Sequence, residues 1–211
     1  MRCRVCGQRK GKRECPAKGG LICAQCCGEK RVVGIACPAD CQHLKTGQSY
    51  HRFKHYIALL ESQTSAARRR ALYETFTEWG GLIEGVEETI VGFAADLRSL
   101  RDRDVLEAVE TLRKTMETER KGVIFEHRSA NPIVQSLARE IGAHLEEVRE
   151  KPPEGLPPPR LEDWIECLKA VEAGLRFYEQ SGEGSGWLRF TAVNHPEAAA
   201  RRGGGGGLII P

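Results

Sequence analysis

Apolar residues recur in steps of three and four from Leu72 through Phe76, Trp79, Leu82/Ile83, Val86, Ile90, Phe93 and Leu97 to Leu100. That spacing predicts one long amphipathic helix. Gly80, Gly81, Gly85 and Gly92 interrupt it, and glycine lowers helicity. They mark a kink or permit close helix–helix approach. Before it, helix-compatible sequence begins near Gly47, runs through Tyr50–Leu60 and resumes at Ala66–Ala71. After it, Asp102 or Asp104 can cap a helix with Val105, Leu106, Val109, Leu112 and Met116 on one face. Asn131–Pro132 opens another, carrying Ile133, Leu137, Ile141, Leu145 and Val148. The proline-rich run Lys151–Pro159 stops it. A last helix, about Leu161–Gln180, carries Trp164, Ile165, Leu168, Val171, Leu175 and Tyr178.

Two short stretches break the helical pattern. KGVIFEH (Lys121–His127) suits a brief strand or an apolar loop packed on the helices, and WLRFTAV (Trp187–Val193) suits an extended piece. The expected fold is mainly α: a small zinc-stapled module at 1–45, a helical bundle at 46–193 and a disordered tail at 194–211 ending in RRGGGGGLIIP.

The first 45 residues have no such periodicity. Eight of the nine cysteines lie there: Cys3, Cys6, Cys15, Cys23, Cys26, Cys27, Cys37 and Cys41. So short a segment buries little apolar surface and needs a metal or disulfides. No apolar window of about 18 residues suits a membrane helix, and the N-terminus lacks a signal core, so a reducing cytoplasmic location is expected. There, clustered cysteines favour metal. Cys3/Cys6 and Cys23/Cys26 are CxxC pairs, each able to give both sulfurs to one tetrahedral zinc, with Gly7 and Gly28 beside them. Eight cysteines predict two closed Zn²⁺ sites of four, with His43 as a possible substitute ligand. Closed sites support folding rather than hydrolysis.

The order of ligand pairs resembles that of B-box-type cross-brace zinc fingers, in which the first and third pairs share one metal and the second and fourth the other. The resemblance implies Cys3, Cys6, Cys23 and Cys26 in site one, and Cys15, Cys37 and Cys41 in site two. Lys18 stands where the B-box pattern has a ligand, and ammonium cannot ligate. The fourth ligand is then Cys27 or His43, with Cys27 favoured because adjacent cysteines facing opposite sides can serve two metals. The resemblance covers the cysteine stretch alone and carries no ubiquitin-ligase activity. CCGEKRVVGIACPADCQHL, following the first CxxC pair, is also similar to a CCGxxR…CPxxC motif of uncharacterised bacterial zinc-binding proteins.

Charge refines the picture. The formal net charge is +3, but residues 1–45 hold ten Lys/Arg against three Asp/Glu, a net of +7, while 46–211 hold 22 against 26, a net of −4. A basic head suggests nucleic acid as a partner, through Arg9, Lys10, Lys12, Arg13, Lys30 and Arg31. Eight thiolates and two zinc ions would reduce the head to about +3. The preferred expectation is therefore a non-enzymatic interaction protein with a protein partner or a second copy of itself, and nucleic acid is the alternative.

Other candidates have structural readings beside them. His51 and His55 have metal-binding i, i+4 spacing but no completing carboxylate, which favours a solvated face. Arg68–Arg70 is a phosphate grip or a wet helix surface. Glu126 and His127 could do acid–base chemistry, yet sequence neighbours point apart in a strand, and hydrogen bonding to the bundle is the alternative. Glu140 and His144 lack a di-iron pattern, and Cys167 sits among apolar positions like a core residue.

Overall fold

In a computed structural model of the chain, the described residues are 1–31, 34–35, 37–38, 40–97, 99–152, 154, 157–179 and 184–201; the side chains of residues 48, 49, 51 and 201 are outside the description. The protein is mainly α-helical with one two-stranded sheet. Its described residues divide into two compact units, 1–56 and 57–201. Among them, no helix is long and apolar enough to cross a membrane.

The first unit begins with a hairpin. Strands β1 (Arg13–Cys15) and β2 (Gly20–Ile22) pair antiparallel, with Arg13 opposite Ile22 and Cys15 opposite Gly20. A 3-10 turn, Pro16–Lys18, joins them, and Gly19 ends it in the left-handed region. A short helix, α1 (Ala24–Glu29), follows. Helix α2 (Gln42–Ser62) starts five residues before the Gly47 expected from propensity and crosses the division between the units. The Arg31 guanidinium lies against Gly47: a Cβ there would stand 1.5 Å from its Nη1, so a larger residue would make the side chain move.

The second unit is the helical bundle. The long apolar repeat forms α3 (Ala66–Asp96), with Ser65 as its cap. It is kinked at Trp79 (φ −121°, ψ 19°), immediately before Gly80 and Gly81, where local unwinding is cheapest. Gly85 serves close approach instead, lying against the His144 ring. Next come α4 (Asp102–Arg120), α5 (Pro132–Glu150) and α6 (Leu161–Glu179). Asn131 caps α5 as expected, accepting from the Ile133 N–H at 3.0 Å. Helix α6 packs on both α3 and α4, and α5 on the same pair. Ile83, Val86, Ile90, Val105, Leu137, Ile141, Ile165 and Leu168 form the shared core, with Phe76, Trp79 and Phe93 partly buried against it. Arg113 of α4 reaches Glu117 at 2.9 Å and Glu172 of α6, an ion pair largely shielded from solvent.

Three expectations change. Trp187–Val193 is not extended but lies in helix α7 (Gly186–Asn194). Its first N–H groups are satisfied from a distance: those of Trp187 and Leu188 donate to the Asp102 carboxylate at 2.9 and 3.0 Å. Asp102 therefore caps α7, while Asp104 accepts from the Arg101 N–H at the start of its own helix. Residues 194–201, assigned to a disordered tail, end α7 and form α8 (Pro196–Arg201), which packs on α3. The His195 ring meets Glu87 of α3 at 3.1 Å, tying this stretch to the bundle. The rest of that tail, 202–211, lies outside the described residues. Finally, the apolar residues of KGVIFEH are not packed on the helices: Val123 and Phe125 are exposed, and Ile124 fully so.

Replacing Asp102 by alanine is expected to cost about 2 kcal/mol, because two buried N–H groups lose their acceptor. Urea unfolding of Asp102→Ala against the parent measures it, and a cost below about 0.5 kcal/mol would refute the long-range cap.

Candidate metal centre

Two turns present the first four sulfurs. In the first, the Gly7 N–H donates to the Cys3 carbonyl at 2.8 Å, and the Val5 N–H donates to the Cys3 sulfur at 3.4 Å. Gly7 takes φ 65°, a backbone region open to glycine and costly for side-chain-bearing residues. In the second, Cys23 is the N-cap of α1, and its sulfur accepts from the Cys26 N–H at 3.4 Å. Both turns close with an N–H bond from the residue after the second cysteine to the carbonyl of the first, Gly7 to Cys3 at 2.8 Å and Cys27 to Cys23 at 3.0 Å. The hairpin brings them together. Residues 2 and 10 bridge, the Arg4 N–H donates to the Leu21 carbonyl at 3.1 Å, and the Lys12 N–H donates to the Ile22 carbonyl at 2.9 Å.

The result is a cluster in which the sulfurs of Cys3, Cys6, Cys23 and Cys26 all lie within 4.8 Å of one another. Cys3, Cys23 and Cys26 are buried and Cys6 is half-buried. These are the residues assigned above to site one. Tetrahedral metal–sulfur bonds of about 2.3 Å would place the sulfurs about 3.8 Å apart, so a small inward adjustment closes the site around an ion. The donors are all soft, and four sulfurs fill a tetrahedral shell.

The surroundings favour anionic sulfur unevenly. N–H groups of Arg9 and Gln8 bring the Cys6 thiol down to about 6. Burial opposes ionisation of Cys3, but N–H groups of Cys23, Cys6 and Val5 outweigh it and hold that thiol below its ordinary value. Burial, reinforced by the Cys23 sulfur, pushes Cys26 up to about 12. The Arg9 guanidinium reaches this same sulfur, with Nη2 3.9 Å from Cys26 Sγ. Its bonds to the sulfurs of Cys26, Cys23 and Cys6 hold it firmly protonated. On its other edge, Arg9 donates to Gln25, whose amide donates to Glu29 at 2.6 Å. Arg9 was a nucleic-acid candidate, and its role as a cation beside the sulfurs was missed. The available signal was charge: four clustered thiolates require cations close by.

The other cysteines are arranged differently. Cys15 and Cys27 are buried in the apolar cluster of the head with Ile22 and Ile35, and Cys37 packs against it. Cys41 is buried just before α2, and His43 is half-buried in its first turn. Cys26 joins the four-sulfur group and the adjacent Cys27 does not. Among the described residues, no second group of three or more ligand atoms lies within 4.8 Å. Of the basic candidates, Lys10, Lys12 and Lys30 are exposed, and Arg13 and Arg31 are half-buried.

Outside the head, the candidates have structural partners or solvated settings. The His127 N–H donates to Thr115 Oγ1 at 2.9 Å, and its ring Nε2 meets Thr118 Oγ1 at 3.1 Å. The Glu126 carboxylate takes Arg128 at 2.7 Å, which lowers its pKa. Among the described residues, a cleft of about 440 Å³ is lined by residues that include Asp102 and Leu106, and one of about 350 Å³ by residues that include Arg68 and Glu172. Burial pushes the Cys167 thiol up to about 12, and burial together with Arg52 brings His55 down to about 4. The side chain of His51 lies outside the described residues. Arg68–Arg70 is exposed, with Arg70 paired to Glu74 at 2.7 Å. Burial lowers the pKa of His144. No family model, no curated protein and no solved structure matches the chain.

Cys26→Ser is expected to reduce the metal recovered with the chain, and Cys167→Ser to leave it unchanged, in elemental analysis of the purified proteins. Metal uptake near neutral pH is expected to release protons, at least that of Cys26, so apparent affinity rises with pH. Equal metal content in the two variants would exclude Cys26 as a ligand.

Proposed function

We propose that the chain is a non-enzymatic zinc-binding interaction protein, with a head folded by zinc that presents a protein-binding surface and a helical body that docks a partner or a second copy. The observation that carries this reading is the donor set of the cluster, four cysteine sulfurs mutually within 4.8 Å. Four thiolates around zinc leave no coordination position for water or substrate, so such a site supports folding. Cys3, Cys6, Cys23 and Cys26 hold the first ion in this reading. Cys15, Cys27, Cys37 and Cys41 converge on a second, with His43 as the alternative to Cys27. That second step requires the ligands around the Ile35 cluster to draw together as the ion binds. A reducing, cytoplasmic compartment suits thiolate ligands.

The body contributes a docking feature. Val123, Ile124 and Phe125 expose apolar side chains on a segment fixed at both ends. The Val123 N–H donates to the Thr118 carbonyl, the His127 backbone is tied to Thr115, and the Phe125 and His127 rings meet edge to face at 5.0 Å. An apolar side chain held out in water from an ordered segment is available to a protein partner.

Elemental analysis is expected to find two zinc ions per chain. Chelation under reducing conditions should collapse the amide spectrum of residues 1–45 while most of the helical circular dichroism survives. A folded head with about zero zinc would overturn the reading. Ile124→Ser is expected to change stability by less than about 0.5 kcal/mol in thermal or urea unfolding, because the side chain it removes contributes nothing to the core. A larger loss would show that Ile124 serves folding.

A further inference from the structure

We infer that the first unit binds single-stranded nucleic acid on one face of α2, where Tyr50 and Phe53 stack on bases and Lys54 and Arg31 meet phosphates. This rests on the reading of the head as a zinc-folded binding module and adds a partner to it. Tyr50 and Phe53 are three residues apart and therefore share a helix face. They are 57% and 62% exposed, whereas Ile22, Ile35 and Leu44 of the same unit are buried. Lys54 lies one turn from Tyr50, with Nζ 5.3 Å from the centre of its ring. The ammonium thus lies over the Tyr50 ring in a cation–π contact, which places a charge able to meet a phosphate next to an exposed aromatic side chain.

Arg31 extends this face. Its guanidinium lies against the α2 backbone at Gly47, one turn before Tyr50, where any larger residue would displace it. Its buried Nε has no hydrogen-bond partner among the described residues. The two rings are therefore flanked by a cation at each end.

The charge of the whole unit points the same way. Residues 1–56 hold twelve Lys/Arg against three Asp/Glu, a net of +9, whereas residues 57–211 hold 20 against 26, a net of −6. Two four-thiolate zinc sites would still leave the first unit at about +5. An acidic peptide would answer the charge but leave the rings in water. A duplex keeps its bases stacked on one another and cannot offer them to Tyr50 and Phe53.

The test uses the full zinc-loaded chain and fluorescence anisotropy with labelled RNA and DNA strands of about 20 nucleotides, the matching duplex and polyglutamate, at about 50 and 200 mM salt. Both single strands are expected to bind more tightly than the duplex. The double change Tyr50→Ala, Phe53→Ala should weaken single-strand binding about 10-fold or more without altering zinc content or circular dichroism. Lys54→Ala should reduce the salt slope by about one. A zinc-loaded chain that binds no strand at about 50 mM salt would overturn this inference and leave the zinc reading standing. So would binding unaffected by loss of the rings, or equal binding to polyglutamate. A folded chain without zinc would overturn the zinc reading and this inference together.

Discussion

Four sulfur atoms within 4.8 Å of one another can be anionic only if positive charge stands among them or beside them. The first unit is built around that constraint. Both CxxC turns aim backbone N–H groups at sulfur, the hairpin fixes the distance between the turns, and Arg9 lays a guanidinium against Cys26. These groups offset only part of the charge, as the opposite shifts of Cys6 and Cys26 indicate. A divalent ion would supply the remainder and link chain segments that bury too little apolar surface to hold one another.

The body obeys a different constraint. Its helices are held by a continuous apolar core, and specific polar contacts join them. Asp102 starts one helix while capping another, so α4 and α7 are joined by a buried carboxylate. Arg113 and Glu172 link α4 to α6, where loss of one partner would leave a poorly solvated charge. Glu126 pairs with Arg128, and His127 is held to Thr115 and Thr118 of α4.

Among the described residues, the exposed large apolar side chains include Ile124, which projects from an anchored segment of the body, and Tyr50 and Phe53 on the basic unit. Neither group contributes to a core. Lys54 over the Tyr50 ring distinguishes that surface from the apolar segment Val123–Phe125.

Sequence alone determined most of the helices, because an apolar repeat of three and four residues has one geometric solution and Asn131–Pro132 is a local start signal. It also marked Cys3/Cys6 and Cys23/Cys26, since each CxxC turn is local, while their grouping in one site is what the B-box resemblance implies. Tertiary structure decided what depends on distant neighbours. The Asp102 carboxylate lies 85 residues before the Trp187 N–H it caps, so no local pattern distinguished helix α7 from a strand. The same holds for Ile124, whose apolar character suggested burial until its surroundings were known. At the four-sulfur cluster, spacing marked the two CxxC pairs, but the placement of Arg9 against sulfur depends on how two turns and a hairpin pack. Electrostatic partners are chosen by distance in space, and that distance is set only when the chain has folded.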